Sequence, residues 1–342
     1  MKASAIFKYG GPEVLSYEDL PDPEAGPGEV LVRVKAVALN HLDLWVRGGL
    51  PHLTNPFPHL LGSDIAGVVE DTGTGVEGLD KGAKVLLQPA RSCGHCRACL
   101  EGRDNFCRHY AILGENTTGG YAELISVPRS GILPYPEHLD FEEAACLPLT
   151  FQTAWQMVVK RAAVKPGEFV LLNGAGSGVT IAAVQIAKLY GAITIVTSTS
   201  DEKLEKIRPL GADHLINSSK ASMSAEIKKI TGGKGADAII DHVGSALWTE
   251  NMKSLSWGGR MAVCGATSGA EIKIDLRQLF FKQLGILGST MGSKADLFGV
   301  LRHVAAKKLK PVKDSTFALK DAAQAHRRLE QGQQFGKIVL VP

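Results

Sequence analysis

The stretch that most constrains this chain runs from Phe169 to Ala192. Phe169–Leu172 is a short apolar run with Pro166, Gly167 and Glu168 before it and glycines after it, which favours a buried parallel strand over a helix. Gly174, Ala175, Gly176, Ser177 and Gly178 follow, and then the apolar-periodic run Val179–Leu189. Strand, glycine turn and helix in that order aim backbone N–H groups at a pyrophosphate on the helix N-terminus. A Cβ in the turn would block the close approach. Such a turn also occurs in ordinary βα connections, and the chain that follows raises the nucleotide reading above them. Further strands are expected at Ile193–Thr197, Asp213–Ile216, Ala238–Asp241, Arg260–Cys264 and Leu284–Gly288, with a helix at Asp201–Leu210. Strands alternating with helical patterns predict an α/β fold with a doubly wound, six-stranded parallel sheet.

The 342 residues exceed one ordinary domain, so two are expected. Before the sheet the pattern changes. Gly26–Asn40 alternates apolar and polar as a half-buried antiparallel strand does, and alternation with glycine turns continues through Gly62–Leu87. Residues 1–148 therefore read as a β-barrel-like domain and 149–288 as the nucleotide domain. The strand-like ending FGKIVLVP marks 289–342 as a segment returning to the first domain, and a substrate is expected between the two. A net charge of only +3 argues against a dedicated nucleic-acid binder. No apolar run approaches the roughly eighteen residues of a membrane span, and Met1–Tyr9 lacks a signal core. A cytoplasmic protein acting on a small molecule, without nucleic acid or membrane, is the expectation.

Four of the six cysteines fall in CGHCRACLEGRDNFC. Cys93, Cys96, Cys99 and Cys107 follow the spacing C-x2-C-x2-C-x7-C, which closes a tetrahedron around Zn²⁺ within one lobe, about 91–109. With all four positions filled by thiolates, one such zinc per chain is structural. An iron–sulfur cluster fits less well, because Cys107 stands eight residues beyond Cys99. Cys146 and Cys264 read as packing residues.

Together these segments resemble the medium-chain dehydrogenase/reductase superfamily, the group of zinc alcohol dehydrogenases and quinone oxidoreductases. GGPEVL (Gly10–Leu15), PGEVLVRVKA (Pro27–Ala36), HLLGSDIAGVV (His59–Val69), the cysteine lobe, GGYAEL (Gly119–Leu124), the nucleotide segment and FGKIVL carry the resemblance over essentially the whole chain. It implies a GroES-like barrel domain, a Rossmann domain, nicotinamide chemistry and a homodimer or homotetramer. By motif it also implies cofactor contacts at Thr153, the turn Gly174–Val179, Val243, Gly244, Gly265, Ala266, Ser289 and Lys337, with His41 facing the cofactor phosphates. Against the AxxGxxG form of the turn, the last glycine falls on Thr180.

The departures bear on chemistry. Alcohol dehydrogenases of this family hold a catalytic zinc with Cys, His and Cys, and those positions fall on Asn40, Ser63 and Leu149. The proton-relaying hydroxyl falls on Leu42, and the family's Glu is Asp64. A rearranged metal site drawn from His41, Asp43, His52, His59 and Asp64 is the alternative, against the plainer expectation that Asp43 and Asp64 are buried, partnered acids. Zinc acts in such enzymes as a Lewis acid. Without it, hydride delivery to a conjugated acceptor is easier than reduction of a simple ketone, because the charge spreads to an oxygen that hydrogen-bond donors can hold. Asn40 and Ser63 are the donors expected there. The expected activity is NAD(P)H-dependent reduction of an enone, an enoyl thioester of the acryloyl-CoA kind, or a quinone. A zinc alcohol dehydrogenase with a rebuilt site and a nicotinamide-binding protein with little turnover are the alternatives. NADPH is preferred over NADH, because Ser198 stands where an NAD-selective site carries an acid, and Ser198 and Lys203 can meet a 2′-phosphate. Arg302–Lys313 reads as a solvated basic helix face, with phosphates of a CoA-type substrate, or nucleic acid, as the competing readings.

Overall fold

The computed structural model describes residues 1–51 and 53–342. The chain divides into two compact units: Met1–Leu149 with Ser293–Ala306 and Pro311–Pro342, and Thr150–Gly292 with Lys307–Lys310. The sequence pattern places the boundaries at 148/149 and 288/289. The tail of the nucleotide segment extends four residues further, to Gly292, and takes in Lys307–Lys310, so the basic run is shared between units.

The first unit is built on a seven-stranded sheet. Its path runs Ile132–Pro134, Lys84–Leu87, Asp64–Thr72, Glu29–Ala38, Lys337–Val341 and Lys313–Ala318, and Leu124–Pro128 also pairs with Glu29–Ala38. Glu29–Ala38 is the central strand. It alternates between buried and half-exposed positions before the exposed Lys35 and is then buried on both faces through Ala38, and the helix Phe141–Ala145 packs against it. Val30, Val32, Val34, Val37, Ile65, Ile125 and Tyr121 fill the core. β-branched side chains on alternating positions suit such a pleated, one-sided surface. The closing strand Lys337–Val341 lies antiparallel to Val37–Ala38 and parallel to Lys313–Ala318, so residues nearly 300 apart in sequence share one sheet. A smaller sheet joins Leu15–Asp19, Lys2–Ile6 and His59–Leu60.

The second unit carries the predicted six-stranded sheet. Every pairing in it is parallel, in the order His214–Asn217, Ile193–Ser198, Phe169–Leu172, Ala236–Asp241, Leu255–Val263 and Gly285–Gly288. The first strand lies centrally and the chain winds outward in both directions, as in a doubly wound fold. Two local departures have physical reasons. Leu255–Val263 starts five residues before the expected strand, through a register shift between Ala236 and Ala238 that admits Trp257 and Gly258. The helix expected over Asp201–Leu210 ends at Ile207 and tightens into a 3-10 turn at Arg208–Leu210, because Pro209 cannot donate to the helical ladder.

Candidate functional site

The nucleotide turn is assembled on the edge where the parallel strands end. Gly174–Gly178 follows Phe169–Leu172, Ser198 ends Ile193–Ser198, Val243 and Gly244 follow Ala236–Asp241, Gly265 and Ala266 follow Leu255–Val263, and Ser289 follows Gly285–Gly288. Parallel register puts all of these at one edge of one sheet, where ligands bind such folds. Gly174 has φ +77°, and a Cβ there would come within 3.3 Å of the His242 ring. Its N–H and that of Ala175 both donate to Thr197 O at 3.0 Å, so neither is offered outward. Ser177 caps Gly178–Leu189 by accepting from Val179 N at 3.2 Å. The N–H groups of Gly176 and Gly178 are what the turn itself presents to an anion.

Beneath the turn lies a buried polar network that sequence reasoning did not identify. Asn173 Nδ2 donates to Asp241 Oδ1 and Asn251 Oδ1, both at 3.0 Å, and Thr197 Oγ1 donates to Asn173 Oδ1 at 3.0 Å. Asp241 Oδ2 accepts from Gly244 N at 3.0 Å. Thr180, standing where a packing glycine was expected, donates to Asn173 O at 2.5 Å and meets His242 Nε2 at 3.0 Å. A hydrogen bond to the strand end replaces close helix–strand packing. Burial lowers the His242 pKa, keeping the ring neutral. The available signal was a polar residue closing each of three successive apolar strands.

The other cofactor candidates are placed as follows. Thr153 is buried with its hydroxyl toward Met291 Sδ at 3.9 Å. Ser289 Oγ is buried with no protein partner, an orphan that a ligand polar group would satisfy. Ser198 Oγ accepts from Ser200 N at 3.1 Å, and Ser200 caps the helix that carries Lys203. His41 is half-buried at the start of the helix His41–Gly48, in the first unit. Lys337, expected among the cofactor contacts, donates from its ammonium to Asp64 Oδ2 at 2.8 Å and Asn40 Oδ1 at 2.5 Å. Two of the ammonium's three hydrogens are thereby committed within the first unit.

That contact organises the second cluster. Asp64 is fully buried, Lys337 is 5% exposed and Asn40 7% exposed. Asn40 Nδ2 donates to Asp64 Oδ2 at 3.0 Å, and Leu149 N donates to Asp64 Oδ1 at 2.6 Å. The first residues of two strands, Asp64 and Lys337, thus meet Asn40 beyond the end of a third. Asn40 N and Gly62 N donate to Asp43 at 2.7 and 2.9 Å. Gly62 has φ +96° and no room for a Cβ, which would lie 2.5 Å from the Tyr121 ring. Burial pushes Asp43 up to about 6 against the pull of these two N–H donors. Arg47 can only donate, so its contact at 2.9 Å with His326 Nδ1 leaves the ring proton on Nε2, facing Tyr121 Oη at 2.9 Å. Burial, and then the nearby Asp43 carboxylate, raise the Tyr121 hydroxyl well above its ordinary value. Burial, and then Arg47 beside it, brings His326 down to about 3.

Ser63, the other expected donor, is fully buried and its hydroxyl donates to Leu113 O at 2.6 Å. Leu42 packs against the barrel core. The rearranged metal set does not converge: His59 Nε2 lies against Gly114 O at 3.1 Å and Asn55, while Asp43 and Asp64 have the partners above. His52 lies outside the described residues. The catalytic zinc of the family does not fit this donor set, which pairs an amide and a leucine with an ammonium.

Among the described residues, the one group of three or more His, Cys, Asp or Glu side chains placed to hold a metal is Cys93, Cys96, Cys99 and Cys107, with sulfurs within 4.8 Å of one another. Neighbouring sulfurs stand 3.5, 3.6 and 3.9 Å apart, close to the roughly 3.8 Å edge of a tetrahedron with Zn–S bonds of about 2.3 Å. Backbone N–H groups of His95 and Cys96 bring the Cys93 thiol down to about 6. The quartet fits a zinc ion.

A GroES-like unit joined to a Rossmann unit, with a thiolate quartet in the former, defines a nicotinamide-dependent dehydrogenase or reductase. The chain matches the alcohol dehydrogenase GroES-like domain over residues 26–137 and the zinc-binding dehydrogenase domain over 178–306. It belongs to the medium-chain dehydrogenase/reductase superfamily and is an NAD(P)-dependent oxidoreductase. A solved structure of a protein named NAD-dependent alcohol dehydrogenase is 50% identical, with a TM-score of 0.97 and complete coverage of both chains. An NAD-dependent alcohol dehydrogenase of Sulfolobus acidocaldarius is 35% identical over 99% of each chain. An acryloyl-coenzyme A reductase of Sulfurisphaera tokodaii is 30% identical over 99% of each. No helix among the described residues is long and apolar enough to cross a membrane.

Proposed function

We propose that this chain reduces a C=C bond conjugated to a carbonyl or thioester, or a quinone, at the expense of NADPH and without a catalytic zinc. The observation that carries the reading is the Lys337 ammonium, 2.8 Å from Asp64 and 2.5 Å from Asn40. It brings a fixed positive charge to a position flanked by Asn40 and Leu149, and a divalent cation beside it would be repelled. A bound dihydronicotinamide supplies the hydride. Asn40 is the group of this site with a donor for the oxygen on which the charge then collects. The acryloyl-coenzyme A reductase relative belongs to the same reaction class.

The competing reading is alcohol oxidation, favoured by the name of the 50% identical protein. It requires a Lewis acid, and the donors at 40, 63 and 149 oppose one. NADPH is favoured because Ser198 closes its strand without an acid, and the nearest acid, Asp201, is engaged by Asn217 and Lys220. The cysteine quartet holds one structural zinc. A homo-oligomer is supported by the edge strand Gly285–Gly288, near which Trp257, Leu276, Phe280 and Phe281 are exposed.

Zinc per chain, measured on protein purified without added metal, together with a panel of enones, enoyl thioesters, quinones, alcohols and simple ketones, tests the reading. About one zinc, lost in the Cys96→Ser/Cys99→Ser variant, with NADPH oxidation by the conjugated acceptors, is expected. About two zincs with turnover confined to alcohols and simple ketones would overturn it.

A further inference from the structure

We propose that Lys337 is a positioning residue that converts the Asn40 side-chain amide into the oxyanion donor of this site. The inference rests on the zinc-independent reading given above and assigns the group that takes over the metal's electrostatic task.

The argument starts from which atoms can donate. The Lys337 ammonium only donates and the Asp64 carboxylate only accepts. An amide held between them has one orientation, with Oδ1 on Lys337 at 2.5 Å and Nδ2 on Asp64 at 3.0 Å. Nδ2 carries two hydrogens. One is committed to Asp64. The other has the Ala38 carbonyl at 3.5 Å, at the far limit of a hydrogen bond. That second N–H is the one left to donate to a substrate oxygen.

Lys337 also changes how well Asn40 donates. A charge-assisted bond to Oδ1 draws electron density out of the amide, and linked hydrogen bonds of this kind strengthen one another where water is excluded. The frame is rigid. Asn40 N is held by Asp43 and Asp64 is held by Leu149 N, while Asp64 and Lys337 each begin a strand paired to the strand that ends at Ala38. The donor is therefore preorganised before substrate arrives.

The chemical step balances without further groups. A bound dihydronicotinamide would supply the hydride, its C4–H bond breaking as a C–H bond forms at the β-carbon of an enone or enoyl thioester, or as an O–H bond forms at one quinone oxygen. The π pair moves to the carbonyl oxygen, which accepts the Asn40 N–H as it becomes an enolate or phenolate. A proton from water then completes the product at the α-carbon or at oxygen.

The test uses full-length wild type and the variants Lys337→Met, Lys337→Arg, Asn40→Ala, Asn40→Ala/Lys337→Met and Asp64→Asn/Lys337→Gln. Each is assayed with NADPH against cyclohexenone, crotonyl-CoA and a benzoquinone, and NADPH affinity is measured separately by fluorescence titration. Losing one oxyanion donor lowers kcat by about 10²–10³-fold, which is the expectation for Asn40→Ala. Lys337→Met is expected to lose about 10–100-fold in kcat, to add little in the Asn40→Ala background, and to leave NADPH affinity within about two-fold. Lys337→Arg is expected to recover part of the loss. Asp64→Asn/Lys337→Gln strands no charge, so it folds even if Lys337→Met does not, and is expected to lose kcat to the same degree. A wild-type kcat in Lys337→Met or in the neutral pair, losses that multiply with those of Asn40→Ala, or a defect confined to NADPH affinity would each overturn the proposal. Inactivity of the wild type toward all three acceptors would instead overturn the proposed function, and this inference with it.

Discussion

Removing the Lys337 ammonium should destabilise the first unit by an amount that depends on pH. Asp64 is fully buried and Lys337 nearly so, and in Lys337→Met the carboxylate keeps only Leu149 N at 2.6 Å and Asn40 Nδ2 at 3.0 Å. Breaking a buried pair by deleting one partner typically costs about 3–5 kcal/mol. A second route limits the damage, because the stranded acid can take up a proton. Neutralising an aspartic acid of ordinary pKa, about 3.9, costs about 4 kcal/mol at pH 7 and about 1.5 kcal/mol at pH 5. The loss in Lys337→Met is therefore capped near 4 kcal/mol at pH 7. It shrinks by up to about 1.4 kcal/mol for each unit of acidification toward pH 5, since the variant's folded state then binds more protons than its unfolded state. Asp64→Asn/Lys337→Met removes both charges, and should recover most of the loss at pH 7 with little pH dependence. Pulse proteolysis in a urea series at pH 5, 6 and 7 reads these stabilities directly. A loss below about 1 kcal/mol at pH 7, or one that does not change with pH, would show that the pair is not buried and coupled in this way.

Ser198→Asp places a carboxylate at the end of Ile193–Ser198 and should shift the ratio of kcat/KM values toward NADH by about 10–100-fold, equivalent to about 1.4–2.7 kcal/mol; an unchanged ratio would refute the 2′-phosphate assignment. Burial and Arg47 bring His326 from 6.5 down to about 3, so its contribution to stability is complete above pH 6.5 and is lost as pH falls from there toward 3. His326→Gln should then flatten the acid limb of the stability–pH curve by up to about 1.4 kcal/mol per unit, and identical slopes for wild type and variant in urea denaturation would sink that account.

The sequence alone determined the local and periodic features. Four apolar residues before a glycine turn specify a buried strand feeding a helix, and repetition of that unit specifies a parallel doubly wound sheet, because short connections and right-handed crossovers leave few other arrangements. The cysteine spacing pointed to the quartet because four thiols within fifteen residues can close around one ion without any long-range pairing. Motif resemblance likewise located Asn40, Ser63 and Leu149 as departures from a metal site. The tertiary structure decided what those departures do. No spacing rule connects Lys337 to residues 40 and 64; they meet because the closing strand pairs with the end of Glu29–Ala38, and only that long-range pairing creates the buried ion pair. Ser63 and Asn40 are both short polar residues in sequence, yet one donates to Leu113 O while the other joins the buried pair of Lys337 and Asp64. The network of Asn173, Thr197, Asp241 and Asn251 was likewise hidden, because residues at the ends of separate strands become neighbours only when parallel register aligns those ends.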